Sequence, residues 1–455
     1  FVGTDLDVDG TTNLDVVDVD GAVNFAADVT FADGADIITA SAGDNNVRVG
    51  LNAGNSIESG GNQNTVVGDE AGTAITTGIE NVLIGHLTGD ALTDADFNVA
   101  VGRAALSTDT KGNKSTAIGQ GTLNGQNFTT STDTFNTAVG FFAGLAVTTG
   151  TFNTFIGGLA GDALTDADFN VAVGTTALTT DTLGSKSTAL GHAALTTQNF
   201  GTATDTFNTA VGFAAGSAVT TGTQNTLIGG LAGDALTAAF ENVAIGYQAQ
   251  TTDTLGRRTV AVGTRALLSQ NFTTATNSYN VAVGYDAGTA VTTGTLNTLI
   301  GGLAGDALTV GNSNTALGQG ALSSDTKGDT SVAIGILALQ DQNFTTSTDV
   351  YNTAVGAFAG ENITTGVENT LIGGLVGDAL TDADFNVAIG VNALTSDTKG
   401  SRSVAIGIGA LNGQNFTTST NSDNTAVGYH AGNAITTGIR NTIMGSLAGD
   451  VLTDA

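Results

Sequence analysis

A short apolar segment that ends in glycine recurs along this chain of 455 residues. Its first copies read NTVVG, NVLIG, NVAVG, STAIG and NTAVG. From the first of these onward, the spacings between successive glycines are 17, 17, 17 and 21 residues, and this order repeats without interruption. Four spacings make a block of 72 residues, and the glycines that open the blocks are Gly68, Gly140, Gly212, Gly284, Gly356 and Gly428. A fixed period of this kind overrides the domain count that length alone would suggest.

The positions between the glycines also repeat as columns. Asn stands four residues before most of the glycines, as at Asn136, and is replaced in every fourth unit by a hydroxyl residue such as Ser187. Thr stands eight residues after them, as at Thr148, and every fourth copy is Asn, as at Asn199. Such columns predict coils that stack on one another, with Asn and Thr ladders satisfying polar groups from coil to coil.

The units are too short to hold a pair of helices. Runs of four or five residues rich in Val, Ile and Thr, bounded by Gly and Asn, are typical of strands. The sequence therefore predicts an all-β chain in which residues 50–455 form a parallel β-solenoid of 17- and 21-residue coils, arranged in 72-residue super-repeats. Strands about 4.8 Å apart would make this shaft on the order of 105 Å long.

Each strand presents small or apolar residues on both of its faces. Thr137 and Val139 point to one side and Ala138 to the other, because strand side chains alternate. One face can line the core of its own chain, and the opposite face then needs a partner. This pattern predicts a homo-oligomer.

Two segments carry a family resemblance. TSVAIGILAL (330–339) and RSVAIGIGAL (402–411) resemble the head repeat of trimeric autotransporter adhesins, whose signature is Ser-Val-Ala-Ile-Gly followed by a turn of small residues. The resemblance implies a left-handed β-roll in an intertwined homotrimeric rod, although the coils here are longer than is usual in that family. The units NTAVG, TTG and AGDALTDADFN are also similar to repeats in tail-fibre proteins of marine bacterial viruses.

These resemblances imply a structural and adhesive role outside the cell. The leading hypothesis is a trimeric virion tail fibre for host attachment, with a cell-surface glycan or protein as receptor. The alternative is an adhesin or filament on a bacterial cell surface. Residues 1–49 stand outside the period, and their alternation of apolar residues with Asp predicts a β-rich collar or cap.

Composition excludes several other classes of function. The formal charge is −30, from 42 acidic and 12 basic residues, which argues against a nucleic-acid partner. The chain has no Cys for a thiol nucleophile or a thiolate metal site. No apolar run is long enough to predict a membrane span.

No residue set predicts catalysis or a cofactor. The histidines His86, His192 and His430 are scattered and have no fixed Ser or Asp partner. The acidic turns of the type Asp90, Asp94 and Asp96 could gather calcium between chains, but solvated turns are the favoured interpretation. A solenoid polysaccharide lyase would need acids clustered in a single site, whereas these acids recur with the period.

The 21-residue coils contain the candidate contact residues. Each adds a stretch that begins Gln-Asn-Phe, and the predicted exposed contact loops carry Phe128, Phe200, Phe272, Phe344 and Phe416. These aromatics would either bind a sugar or a receptor, or pack against a neighbouring chain. Ice binding is a remote alternative, because the invariant Thr column is single and forms no Thr-x-Thr plane.

Overall fold

The computed structural model describes residues 42–454, and within that range the regular structure consists entirely of β-strands. Twenty-three strands form one parallel sheet. They are β1 (Val47–Val49), β2 (Thr65–Val67), β3 (Val82–Ile84), β4 (Val99–Val101), β6 (Thr116–Ile118), β8 (Thr137–Val139), β9 (Thr154–Ile156), β10 (Val171–Val173), β12 (Thr188–Leu190), β14 (Thr209–Val211), β15 (Thr226–Ile228), β16 (Val243–Ile245), β18 (Val260–Val262), β20 (Val281–Val283), β21 (Thr298–Ile300), β22 (Thr315–Leu317), β24 (Val332–Ile334), β26 (Thr353–Val355), β27 (Thr370–Ile372), β28 (Val387–Ile389), β30 (Val404–Ile406), β32 (Thr425–Val427) and β33 (Thr442–Met444).

Five smaller parallel sheets, each of two strands, lie beside the main sheet. They pair β5 (Gly112–Asn113) with β7 (Thr132–Asp133), β11 (Gly184–Ser185) with β13 (Thr204–Asp205), β17 (Gly256–Arg257) with β19 (Thr276–Asn277), β23 (Gly328–Asp329) with β25 (Thr348–Asp349), and β29 (Gly400–Ser401) with β31 (Thr420–Asn421).

The main sheet follows the order of the chain. Thr137 pairs with Thr154 and Val139 with Ile156, so each strand lies beside the equivalent strand of the next repeat. Thr116 pairs with Thr137 in the same register across a longer connection. The described chain is therefore a β-solenoid of about 23 turns, as the columns in the sequence predict.

The core is thin and lies behind the middle residue of each main-sheet strand. Ala138 and Phe155 are fully buried at these positions. The Phe155 ring fits because the glycines on either side of it have no side chain. A Cβ built on Gly144 would lie 2.8 Å from the ring, and one on Gly161 would lie 2.5 Å from it. In the block that begins at Gly140, this one large residue is followed by Ala172, Ala189 and Ala210 at the same position of the next three coils.

The glycine that follows each strand is required by its turn. Gly140 has φ +139°, and a Cβ at this position would lie 2.5 Å from the carbonyl oxygen of Gly157 in the next coil. The equivalent glycines that open blocks have φ between +138° and +144°: Gly68, Gly212, Gly284, Gly356 and Gly428. Backbones of adjacent coils therefore approach closely at this corner, where only glycine fits without strain.

Buried asparagines form a ladder along the stack. The backbone N–H of Asn153 donates to Oδ1 of Asn136 at 2.9 Å, and the Asn153 side-chain amide donates to the carbonyl of Ala167 at 2.8 Å. Each buried amide in the ladder thus links neighbouring coils and satisfies backbone groups of the turn. This geometry agrees with the predicted Asn ladder.

The stacked part of the chain forms a compact unit over Ser41–Ala455. Its first strand, β1, begins at Val47, shortly before the predicted boundary at residue 50. The predicted collar over residues 1–49 lies largely outside the described residues.

Candidate interaction surface

The outward face of the main sheet is a continuous surface of Val, Ile, Leu and Thr side chains, with Met at the end of the last strand. Each strand directs its first and third residues outward, and Ile84 and Ile156 remain 38% and 41% exposed. The third residues are Val49, Val67, Ile84, Val101, Ile118, Val139, Ile156, Val173, Leu190, Val211, Ile228, Ile245, Val262, Val283, Ile300, Leu317, Ile334, Val355, Ile372, Ile389, Ile406, Val427 and Met444. We call the first and third residues of the main-sheet strands the aliphatic face.

The aliphatic face contains only β-branched or aliphatic side chains. Its first residues are Thr or Val in every described strand, and none of its residues is charged. This absence stands out in a chain whose formal charge is −30. A long exposed patch without charge marks an interaction surface rather than a solvated one.

Two exposed ridges border the aliphatic face. The leading edge is the column formed by the residue five positions before the strand glycine of every coil. The trailing edge is the column formed by the two residues that follow the same glycine. On the leading edge, Phe135, Phe152 and Phe169 stack in succession, with ring centroids 5.4 and 5.0 Å apart. The ammonium of Lys114 lies 5.1 Å from the centre of the Phe135 ring. Stacking covers much of the ring faces that a sugar would need, so the ladder is not built as a sugar platform.

The leading edge has an unusual backbone. Phe135, Phe152 and Phe169 have φ of +50°, +57° and +59°, in the left-handed region that disfavours aromatic residues. Coil-to-coil hydrogen bonds hold this conformation, since the backbone N–H of Phe152 donates to the carbonyl of Thr134 at 2.7 Å. The backbone therefore presents these side chains outward at some conformational cost.

The predicted contact phenylalanines are buried, which corrects the expectation that their rings are exposed. Phe128, Phe200, Phe272, Phe344 and Phe416 are only 6% to 7% exposed. The added residues fold back along their own chain, where β7 pairs with β5 and encloses the ring. The exposed part of this loop is instead the hydroxyl-rich run of residues 129–131. The structure therefore leaves no open ring face at these five positions.

A buried polar cluster anchors each of these loops. Oδ1 of Asp109 accepts the backbone N–H groups of Gly112 and Phe128, both at 3.0 Å. Oδ2 of Asp109 accepts from Nε2 of Gln126 at 2.5 Å. The Gln126 carbonyl oxygen accepts from the amide of Asn136 at 2.9 Å. Gln126 thus continues the asparagine ladder at the coil where Ser115 replaces Asn.

The cluster recurs once in each 72-residue block, and sequence reasoning missed it. The equivalent pairs are Asp181 with Gln198, Asp253 with Gln270, Asp325 with Gln342, and Asp397 with Gln414. The available signal was an Asp that stands 17 residues before each Gln-Asn-Phe stretch. These residues are fully buried, so the cluster fixes the loop and offers no binding site.

The histidines lie on separate coils and have local partners. His86 lies 3.8 Å from Asp69, His192 stacks on Phe213, and His430 bonds to Asn433 at 3.1 Å. The geometry brings none of them together with a nucleophile.

The acidic turns bind their own chain. Oδ1 of Asp96 accepts the backbone N–H of Ile79 at 2.9 Å, and Oδ1 of Asp168 accepts that of Thr151 at 2.7 Å. Burial raises the pKa of Asp90, Asp234 and Asp306 above the usual carboxylate value. Over residues 42–454, no three acidic or histidine side chains are grouped so that they could hold a metal ion.

The Thr column, eight residues after the strand glycines, also serves the fold. The hydroxyl of Thr93 donates to the carbonyl of Thr110, and that of Thr165 to the carbonyl of Thr182, each at 3.0 Å. These hydroxyls therefore spend their donor on the next coil and help to hold the stack together.

The fold defines this chain as a β-solenoid repeat protein. No family model and no curated protein matches it. Within the described range, no helix has the length and apolar character needed to cross a membrane.

Proposed function

We propose that this chain is the shaft of a homotrimeric, extracellular attachment fibre. The observation that carries the proposal is the aliphatic face, which runs along all 23 strands of the main sheet and is left uncovered by the single chain. Three parallel chains can turn this face toward a common axis and remove it from water together.

The energetic gain accumulates along the stack. Ile156 is 41% exposed in the single chain, and covering a residue of this kind contributes on the order of 1 kcal/mol. Each chain repeats the contribution in every coil, so the total exceeds the entropy lost on association by a wide margin. Many weak, equivalent contacts along one axis suit a stiff spacer.

The biological role that we favour is a tail fibre of a bacterial virus, which spans distance and attaches the particle to its host. Support comes from the resemblance of the repeats and from the regular stack. A receptor, whether glycan or protein, would meet the hydroxyl-rich loops such as residues 129–131 rather than the buried phenylalanines. A bacterial surface adhesin is the second candidate, supported by the two Ser-Val-Ala-Ile-Gly segments.

Mass measurement in solution tests the assembly. Light scattering or native mass spectrometry is expected to give three times the 44.9 kDa mass of one chain. A stable particle with the mass of one chain would contradict the proposal. Electron microscopy of the same sample should show rods rather than globular particles.

Attachment is tested separately, with the purified trimer labelled and mixed with candidate host cells. Retention on one bacterial strain and not on others is the expected result for a tail fibre. The gene neighbourhood distinguishes the two candidates, because virion structural genes would flank a tail fibre.

A further inference from the structure

The block that opens at Gly212 carries a surface charge opposite to that of the block before it, around its 21-residue coil. The earlier block has three carboxylates and one ammonium at the positions concerned, whereas the block of Gly212 has one carboxylate and two guanidiniums. With the residue of the earlier block given second, the exchanges are Ala238 for Asp166, Phe240 for Asp168, Glu241 for Phe169, Arg257 for Ser185, Arg258 for Lys186 and Asn277 for Asp205.

Arg257 is the residue whose charge is left without a counter-charge. It lies in β17, and the central carbon of its guanidinium is 4.2 Å from the centre of the Phe240 ring. Its Nε is buried and has no hydrogen-bond partner. The ion pairs formed among residues 42–454 do not include Arg257. A partly buried guanidinium without an anion is costly, so this side chain is suited to a ligand that supplies one.

Arg258, the next residue, already has its partners. Its Nε donates to Oε2 of Glu241 at 2.7 Å, and one terminal amino group donates to the phenol oxygen of Tyr279 at 2.8 Å. The pair of Arg258 and Glu241 is neutral as a whole. The uncompensated positive charge of this surface therefore belongs to Arg257.

Uncharged polar groups surround Arg257 on the side of the long loop. Asn277 of β19 lies opposite Arg257 in the register of the small sheet, where the earlier block has Asp205. Asn277 is exposed, and so are Thr273 and Thr274 of the same loop. Amide and hydroxyl groups can both donate and accept hydrogen bonds, as sugar hydroxyls require. These residues lie outside the aliphatic face, so burial of that face does not use them.

Resting on the proposed attachment function, we propose that Arg257 and the loop of β19 bind an acidic sugar of a cell-surface glycan. The Arg257 guanidinium pairs with the carboxylate or sulfate group of the sugar, because its planar fork matches such anions. Stacking on Phe240 holds the plane of the guanidinium in place. The side chains of Asn277, Thr273 and Thr274 bind the hydroxyl groups of the sugar.

The charge of the whole chain limits which anions can bind. A formal charge of −30 repels a densely charged polyanion, so the fitting glycan carries isolated acidic groups among neutral sugars. A single unpaired guanidinium also suits one acidic group better than the broad acidic surface of a protein partner. The structure therefore favours a glycan with sparse charge over an acidic protein.

Calorimetric titration of the full chain tests the ligand class with three oligosaccharides. A hyaluronan oligosaccharide carries carboxylates separated by neutral sugars, a chondroitin sulfate oligosaccharide adds sulfate esters, and a chitin oligosaccharide is neutral. We expect binding of at least one acidic oligosaccharide, weaker binding at higher salt, and none of the chitin oligosaccharide. Binding of hyaluronan would identify the carboxylate as sufficient, and binding of chondroitin sulfate alone would identify the sulfate. The proposal is overturned if neither acidic oligosaccharide binds.

Arg257→Ser tests the residue, and Lys186→Thr is its matched control. Each variant loses one positive charge and receives the residue that another block carries at that position, Ser185 or Thr330, so the fold should accept both. Arg257→Ser is expected to weaken binding at least about tenfold, since it removes a charged hydrogen bond. Lys186→Thr should leave the affinity unchanged, because Lys186 is already paired with Asp205. Equal affinities of the two variants would overturn the assignment of Arg257.

The oligomer mass and the retention on host cells are measured with the same proteins, which separates two kinds of failure. A monomer that still binds the acidic oligosaccharide would contradict the shaft and leave this site intact. A trimer that attaches to cells equally well after Arg257→Ser would overturn this inference and leave the shaft intact. Attachment that is lost after protease treatment of the cells, but survives periodate oxidation of their sugars, would assign the receptor to a protein and also overturn it.

Discussion

Nε2 of Gln126 donates to Oδ2 of Asp109 at 2.5 Å in a site where both side chains are fully buried. The backbone N–H groups of Lys111, Gly112 and Phe128 also donate to this carboxylate. This contact joins two consecutive coils and holds the loop of the longer coil against the stack. The Asp109 carboxylate therefore has a structural role, because it accepts several hydrogen bonds that hold the loop in place.

The first prediction concerns the buried hydrogen bond between Asp109 and Gln126. Asp109→Asn places an amide against the amide of Gln126, so one donor must lose its acceptor. We expect a local loss of about 1–3 kcal/mol, seen as faster hydrogen exchange at the backbone amides of Gly112 and Phe128. The control is Asp133→Asn, an exposed acid of the same loop. Equal protection in both variants would contradict the role given to Asp109.

The second prediction tests the close corner of the solenoid. Gly140→Ala adds a Cβ that would lie 2.5 Å from the carbonyl oxygen of Gly157, at a φ of +139°. We expect a loss of at least about 2 kcal/mol in unfolding free energy, measured by urea denaturation. Gly201→Ala is the matched control, because a Cβ there meets nothing within 4 Å. The argument fails if the two substitutions cost the same.

The third prediction treats the 72-residue block as a unit of length. Removing residues 141–212 joins Gly140 to Phe213 and sets Thr137–Val139 beside Thr226–Ile228 in the existing register. The protein should fold with a nearly unchanged melting temperature, since each coil contacts only its neighbours. Electron microscopy should show a rod shorter by about four strand spacings, roughly 19 Å.

The control for this deletion removes residues 141–208, a nearly equal length that is out of phase. It joins Gly140 directly to Thr209 and removes the turn between two strands. We expect misfolding or a large drop in melting temperature. If both deletion variants have similar melting temperatures, the phase of the repeat does not affect folding.

The fourth prediction concerns Asp306, a partly buried carboxyl group in one of the acidic turns. Burial, with a further contribution from Asp286, raises the pKa of Asp306, and its Oδ1 is buried without a partner. The folded chain thus holds this proton more tightly than the unfolded chain, so the stability penalty is present at pH 7 and fades as the pH falls toward the usual carboxylate range. Asp306→Asn should raise the melting temperature at pH 7 and have little effect near pH 4.

Asp162→Asn is the comparison for this experiment, because its carboxylate already accepts a hydrogen bond from Thr179. It should give no gain at pH 7. A gain of equal size from both substitutions would point to general relief of the negative charge instead of a local effect of burial.

The fifth prediction places a charge on the aliphatic face. Ile156→Asp leaves the core of its own chain untouched, because this side chain is 41% exposed and points outward. In a trimer the three carboxylates would meet near the axis and repel one another. We therefore expect the protein concentration at which the trimer dissociates to rise at least tenfold, as measured by native mass spectrometry of a dilution series. Thr130→Asp, on the exposed loop, should leave the mass unchanged. Full retention of the trimer by Ile156→Asp would exclude this face as the interface.

The sequence by itself determined the architecture of the repeat. The spacing of Gly140 and Gly157 sets the length of a coil, and the alternation at Thr137, Ala138 and Val139 separates two faces of the strand. The structure then shows that Ala138 is the residue that enters the core. These features can be predicted from the sequence because stacking places equivalent residues of successive coils in contact. The repeat pattern therefore also predicts tertiary contacts.

Only the tertiary structure decided where the side chains of the longer coils go. Phe128 looks exposed in the sequence because it follows polar residues in an inserted stretch, but the pairing of β7 with β5 buries it. Asp109 and Gln126 are 17 residues apart and look like ordinary turn residues, yet they meet across two coils. Their partnership depends on the position of one coil above another, since a buried carboxylate is tolerated only where the fold brings several donors to it.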